Sequence, residues 1–182
     1  MNRLKDEATI RLAGIEYDDT VNGPGLRCVV FLQGCPFHCP GCHNPGTWPT
    51  DKGELISQQE LYNRIKQDRI ATRVTWSGGE ATLQYPELLP VVKTLANEGY
   101  EQLLFTGYEL DELEYKVHHE PEFEVFLSMM THAIVGRFVL EERSLNTRFR
   151  GSKNQRVMKV YSEGGHVYLD DVSDFWDEGD YV

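Results

Sequence analysis

Three cysteines crowd into eight residues, Cys35, Cys39 and Cys42, separated first by three positions and then by two. They are too close together for sensible disulfide pairing with one another, and a fourth cysteine, Cys28, lies apart from them. Thiolates at this spacing read as metal ligands. A metal site draws its sulfurs to about 2.3 Å from the metal, and a short loop carrying Pro36, Pro40 and Gly41 can wrap to deliver all three. Three thiolates on a 4Fe-4S cubane leave one iron without a protein ligand, and an open position is what lets a metal centre bind and activate a substrate. The spacing fits zinc equally well, with His38 or His43 as a fourth ligand. Cys28 sits in a predicted strand, where a small buried thiol belongs to the core.

The elements that must position this loop follow from hydrophobic pattern. Leu26 to Gln33 is a β-branched and aromatic run after the turn Asn22-Gly23-Pro24-Gly25, which predicts a buried strand. Further strands are predicted over Arg73 to Trp76, Gln102 to Thr106, His132 to Gly136 and Arg156 to Tyr161. Ser57-Gln58-Gln59-Glu60 is a capping box opening a helix with Leu61, Ile65 and Ile70 on one side. A second helix is expected to start nearer Leu89 than Tyr85, because Pro90 would clash with an earlier start. Weaker helical patterns cover Glu109 to His118 and Glu122 to Met130. Strands alternating with helices predict an α/β chain with a mainly parallel sheet, whose sites gather at the carboxyl ends of the strands. The cysteine loop, Ser77-Gly78-Gly79-Glu80 and Thr106-Gly107-Tyr108 each follow or close a predicted strand, so all three should share one rim.

Composition sets the outer limits. At 182 residues and 40% hydrophobic content, the chain suits one core, read as a single domain over residues 1–169 with an acidic tail over 170–182. Six of the thirteen residues from Asp170 to Val182 are acidic and none is basic. That end reads as a solvated, frayed tail, with docking through Phe175, Trp176 and Tyr181 as the alternative. A net charge of -11 argues against a nucleic-acid partner. With no apolar run of membrane length and a polar amino terminus, the chain is expected to be soluble and cytoplasmic, with no membrane partner. Arg148, Arg150, Lys153 and Arg156 form a basic stretch that suits either a solvated face or a contact surface.

Beyond spacing, Gly34-Cys35-Pro36-Phe37-His38-Cys39-Pro40-Gly41-Cys42 with His43-Asn44-Pro45-Gly46-Thr47-Trp48 resembles the radical S-adenosylmethionine enzymes that activate glycyl-radical enzymes. Asn22-Gly23-Pro24-Gly25-Leu26-Arg27 resembles the same group's Gly-Pro-Gly turn and Arg, and Ser77-Gly78-Gly79-Glu80 its Gly-Gly-Glu segment. Thr106-Gly107-Tyr108, Leu110 to Leu113, Gly136-Arg137-Phe138 and Arg150 to Arg156 resemble the branch that acts on anaerobic ribonucleoside-triphosphate reductase. The likeness runs from about Asp18 to Val160.

It implies a partial (β/α) barrel, open on one side, with a 4Fe-4S cluster on Cys35, Cys39 and Cys42 and S-adenosyl-L-methionine bound at the open iron. Reductive cleavage would give methionine and a 5′-deoxyadenosyl radical that takes hydrogen from a glycine of the reductase's large catalytic subunit. The electron would come from a donor such as flavodoxin. Gly41, Cys42 and His43 would touch the adenosyl part; Gly78 and Gly79 permit close approach, and Glu80 would accept from the ammonium group. Gly41 stands where the superfamily often places an aromatic residue beside the adenine, and Ala81 and Val135 replace a common Pro and Asp. Two rivals follow: an activase of another glycyl-radical enzyme such as pyruvate formate-lyase, and a non-catalytic zinc-binding interaction module.

Overall fold

The computed structural model describes residues 4–179, so Tyr181 lies outside the described residues. In chain order they form β1 (Ala8–Asp19), β2 (Arg27–Leu32), β3 (Glu54–Ser57), α1 (Gln58–Ile65), β4 (Arg73–Gly78), α2 (Tyr85–Asn97), β5 (Glu101–Thr106), α3 (Leu110–His119), α4 (Pro121–Ser128), β6 (His132–Val135), β7 (Arg156–Glu163), β8 (His166–Asp171) and α5 (Ser173–Glu178). The strands make one open sheet in the order β3-β1-β2-β4-β5-β6-β7-β8.

The sheet is mixed, which corrects the expectation of a mainly parallel one. β2, β4, β5 and β6 are mutually parallel, whereas β1 and β3 on one side and β7 and β8 on the other pair antiparallel. Helix-linked strands are parallel because each crossover returns the chain to the same end. The flanks carry a different signal. β8 shows half-buried positions alternating with exposed ones, the mark of an edge strand, and β1 buries only Ile10 and Leu12 fully.

Helices α1 to α4 supply the core on one face, with Leu61, Leu88, Leu113 and Phe126 meeting Val30, Trp76, Leu104 and Met158 of the sheet. Successive strand residues point to opposite faces. Leu103 therefore serves the other face, where it joins Ile134, Val157 and Trp176 of α5. The acidic end is consequently folded in as far as Glu178: Asp170 and Asp171 belong to β8, and Trp176 is 2% exposed.

Local chemistry explains the helix boundaries. Ser57 Oγ accepts from the Glu60 N–H at 3.0 Å, as the capping box requires, but the Glu60 carboxylate turns to Arg64 and not back to the cap. Ile70 falls beyond α1 and is exposed. α2 does begin at Tyr85, with Pro86 in its first turn and Pro90 inside it. A proline in a helix interior costs about 3 kcal/mol; burial of Leu88, Leu89, Val91, Val92 and Leu95 along the same helix offsets it.

At the amino ends of the parallel strands, Arg27 is wholly buried. Its Nε donates to Thr75 Oγ1 at 2.8 Å, and its Nη1 donates to Pro24 O and Glu101 Oε1, both at 2.9 Å. Thr75 Oγ1 in turn donates to Asn22 O at 2.8 Å. The turn from Asn22 to Gly25 is thereby drawn onto the sheet face that carries Leu103. Gly23 has φ +132°, and a Cβ there would lie 2.6 Å from Leu103 Cδ2, so this approach needs glycine.

Candidate functional site

β2, β4 and β5 end side by side, because their parallel register aligns Leu32 with Gly78 and Trp76 with Leu104. The segments that follow them meet around one cavity of about 180 Å³, lined by Cys35, Cys39 and Cys42, by Ser77 to Glu80, and by Thr106 and Gly107. The one-rim arrangement expected from the strand order is thus present.

The cysteine loop is closed at its base. Gly34 N–H donates to Thr47 O at 2.7 Å and Cys35 N–H to Trp48 O at 3.1 Å. Gly34, His38 and Gly41 take positive φ at +101°, +48° and +74°, which folds the loop tightly enough to turn its sulfurs inward. All three thiols are free. Burial raises Cys35, opposed by the backbone N–H groups of Phe37 and His38; burial likewise raises Cys39. Asn44 N–H donates to Cys42 Sγ at 3.4 Å. Thiolates facing backbone donors are the usual setting of an iron-sulfur cluster.

Three soft thiolates delivered by one loop to one cavity are the donor set that an iron-sulfur cluster takes. The two histidines keep other contacts. His38 is exposed, its Nδ1 3.1 Å from Pro36 O and its ring edge-on to Trp48, and His43 lines the cavity against the Phe138 ring at 5.1 Å. The donor set therefore fits a three-thiolate cluster. Cys28 points to the helix side, fully buried, its thiol pushed up to about 12 by burial.

The Gly-Gly-Glu turn is packed directly on this loop. A Cβ on Gly78 would sit 2.3 Å from Leu32 N, and one on Gly79 would sit 2.2 Å from Gly34 O. Glu80 lines the cavity with its side chain wholly buried; Oε1 accepts from Thr82 N–H, Thr82 Oγ1 and Thr106 Oγ1, and Oε2 from Gly107 N–H at 2.8 Å. Gly41, by contrast, does not line the cavity. Leu140 lies against it, with Cδ1 2.8 Å from where a Cβ would be, and the φ of +74° at Gly41 is one that glycine adopts without strain.

The cavity is also lined by Trp48, Phe105, Phe138 and Gln155, which residue type alone does not mark as site residues, and by Asn22 of the turn before β2. The signal for Phe138 and Gln155 lay in the segments that carried the resemblance. The basic stretch is engaged within the chain: Arg150 pairs with Asp177 and donates to Gln155 O, and Arg156 approaches Asp171 at 3.8 Å.

A cysteine loop tied to a Gly-Gly-Glu turn on the rim of a mixed sheet defines an iron-sulfur class of domain. The family model described as a 4Fe-4S single cluster domain matches residues 21–158. Within that class the chain belongs to the anaerobic ribonucleoside-triphosphate reductase-activating protein family. It is 32% identical to the protein of that name from Escherichia coli K12 over 147 residues, covering 76% of this chain and 92% of that one. The Haemophilus influenzae protein of the same name is 33% identical over 76% of this chain and 91% of its own length. The pyruvate formate-lyase-activating enzyme of Clostridium pasteurianum is 36% identical, over 60% of this chain and 48% of that enzyme. Among solved structures, QueE from Escherichia coli aligns with a TM-score of 0.45 at 22% identity, covering 54% of this chain and 52% of that one.

Proposed function

We propose that this chain is an activase that generates a glycyl radical on the large catalytic subunit of anaerobic ribonucleoside-triphosphate reductase. The observation that carries the reading is the shared cavity: three free thiols on one loop line it together with the Gly-Gly-Glu turn. Cys35, Cys39 and Cys42 hold a 4Fe-4S cluster, and S-adenosyl-L-methionine binds beside it. When bound, the pair would supply one-electron reductive cleavage of the sulfonium, the electron coming from the external donor, and so the means to take hydrogen from the partner's glycine.

The chain's own residues bind and orient. Gly78 and Gly79 line the cavity at the methionine end, while Cys42, His43 and the adjoining Phe138 ring border the adenosyl end. The open sheet is read as a partial barrel, which leaves an unclosed side for a loop of a folded protein. Among the described residues no helix is long and apolar enough to cross a membrane. The reading places the chain in the cytoplasm as a single domain, with a flavodoxin-type donor.

The test is anaerobic incubation of reduced, cluster-loaded protein and S-adenosylmethionine with the reductase large subunit, read by electron paramagnetic resonance. A glycyl-radical doublet on that subunit is expected. No doublet there, or one formed as readily on pyruvate formate-lyase, refutes the assignment.

A further inference from the structure

Helix α5 lies outside the matched 4Fe-4S domain, which ends at residue 158, yet it is built onto the sheet face that leads to the cavity. Trp176 packs with Leu103, Ile134 and Val157, and Phe105 and Phe149 pack against the same cluster. Phe105 also lines the cavity. The apolar contacts of α5 therefore run without a break to the floor of the site.

A second, polar connection leaves α5 at Asp177. Its carboxylate pairs with the Arg150 guanidinium and accepts from the Arg148 N–H at 3.2 Å. The Arg150 side chain is 3% exposed; its Nη1 donates to Gln155 O at 3.2 Å, and its Nε has no partner among the described residues. A buried guanidinium satisfied so sparsely depends on its carboxylate for compensation. Between the two arginines, Phe149 takes φ +59°, a left-handed conformation that a bulky residue keeps only where its surroundings hold it. Its ring meets Trp176 edge-on at 5.7 Å. α5 thus pins the chain at Arg148, Phe149 and Arg150 in turn.

The residues that follow are the cavity wall. Gly151 and Gln155 both line it, and a Cβ on Gly151 would lie 2.9 Å from Phe138 Cδ2 and 3.4 Å from His43 Cε1. Gln155 Oε1 accepts from Gly151 N–H at 2.8 Å and Ser152 N–H at 3.2 Å, while its Nε2 donates to Gly136 O at 3.0 Å. Arg150 touches this arrangement twice, as the neighbour of Gly151 and through Gln155 O. On the reading of the cavity given above, we infer that Asp177 is a positioning residue: through Arg150 it holds Gly151 and Gln155 as the wall that backs His43 and Phe138 at the adenosyl end. α5 is in that sense part of the site, although none of its residues lines the cavity.

Asp177→Ala tests this beside Leu95→Ala, which removes packing from the helix-side core away from the cavity. Both are measured as anaerobically reconstituted, cluster-loaded protein. Hydrogen exchange by mass spectrometry follows the amides of Ser144, Gly151, Ser152 and Lys153, all of which donate within this region; calorimetry gives the affinity for S-adenosylmethionine. In Asp177→Ala, exchange there should quicken about tenfold or more while β4 and β5 exchange as in wild type. Affinity should fall about fivefold or more in Asp177→Ala and stay within about twofold in Leu95→Ala, which destabilises by packing alone. Unchanged affinity in Asp177→Ala, an affinity loss without faster exchange in the loop, or an equal affinity loss in Leu95→Ala overturns the inference. If Asp177→Ala does not fold, Asp177→Asn decides alone, since it keeps an acceptor for the Arg148 N–H and removes the charge. Weaker binding with faster loop exchange in that variant supports the inference, and any other result rejects it. Wild-type protein that binds no S-adenosylmethionine would refute the reading beneath and the inference with it.

Discussion

Arg27 Nη1 donates to Glu101 Oε1 at 2.9 Å from a guanidinium with no solvent exposure, across the amino ends of β2 and β5. Burial alone would raise the Glu101 carboxyl, but hydrogen bonds and charge from Arg27 and Arg73 outweigh it and hold the group below the ordinary carboxylate range. A depressed folded value means that the pair stabilises the fold above the unfolded-state value and loses that contribution as pH falls through the folded one. Glu101→Gln should therefore cost about 2 kcal/mol near neutral pH, discounted from the buried-pair figure because Glu101 is about a third exposed. Urea melts across pH check it. The gap between wild type and variant should be constant above about pH 5 and narrow steadily below it.

Gly79 is a position where one methyl group is decisive. A Cβ there would meet two backbone oxygens, Gly34 O at 2.2 Å and Thr47 O at 3.0 Å, and neither can swing away as a side chain would. Gly79→Ala is expected to cost about 3 kcal/mol, at the upper end for overpacking, and to abolish iron uptake. Gly46 has nothing within 4 Å of its would-be Cβ, so Gly46→Ala on the same loop should change stability by less than about 0.5 kcal/mol. Thermal melts and iron content together read both.

Trp176 closes the sheet face opposite helices α1 to α4, packed among Leu103, Ile134 and Val157 with Phe149 edge-on at 5.7 Å. Trp176→Ala should destabilise by about 3 kcal/mol. Its neighbour Phe175 is 59% exposed, and Phe175→Ala should be neutral within about 0.5 kcal/mol. Equal effects of the two substitutions in denaturant unfolding would contradict the placement of α5.

The four cysteines divide by environment. Serine at Cys35, Cys39 or Cys42 should each remove the iron-sulfur absorbance and the bound iron and sulfide of reconstituted protein. Cys28→Ala leaves the metal content intact and costs about 1 kcal/mol, the loss of a small buried side chain. Iron and sulfide per chain, measured on all four variants, distinguish the groups.

Much of this was legible in the chain itself. The five strands of the predicted set form, because β-branched and aromatic runs between turns can bury two faces only in a sheet, and the cysteine spacing with its Gly-Gly-Glu companion was readable as a rim. The late start expected for α2 follows from a local rule about Pro90, which the five buried side chains of that helix outweigh. β1, β3 and β8 are faint in the sequence, since a strand with one polar face carries half the hydrophobic signal of a buried one.

The sequence by itself determined which residues could serve as ligands and roughly where the chain would turn, since those depend on residue type and neighbours a few positions away. Only the tertiary structure decided what each is free to do. It turned Glu80 inward onto Thr82, Thr106 and Gly107, set Leu140 over Gly41, committed Arg150 to Asp177, and folded the acidic end into an edge strand and a buried tryptophan. These outcomes depend on partners many residues distant, and a hydrogen-bonding group buried by packing must take whichever partner the fold brings to it.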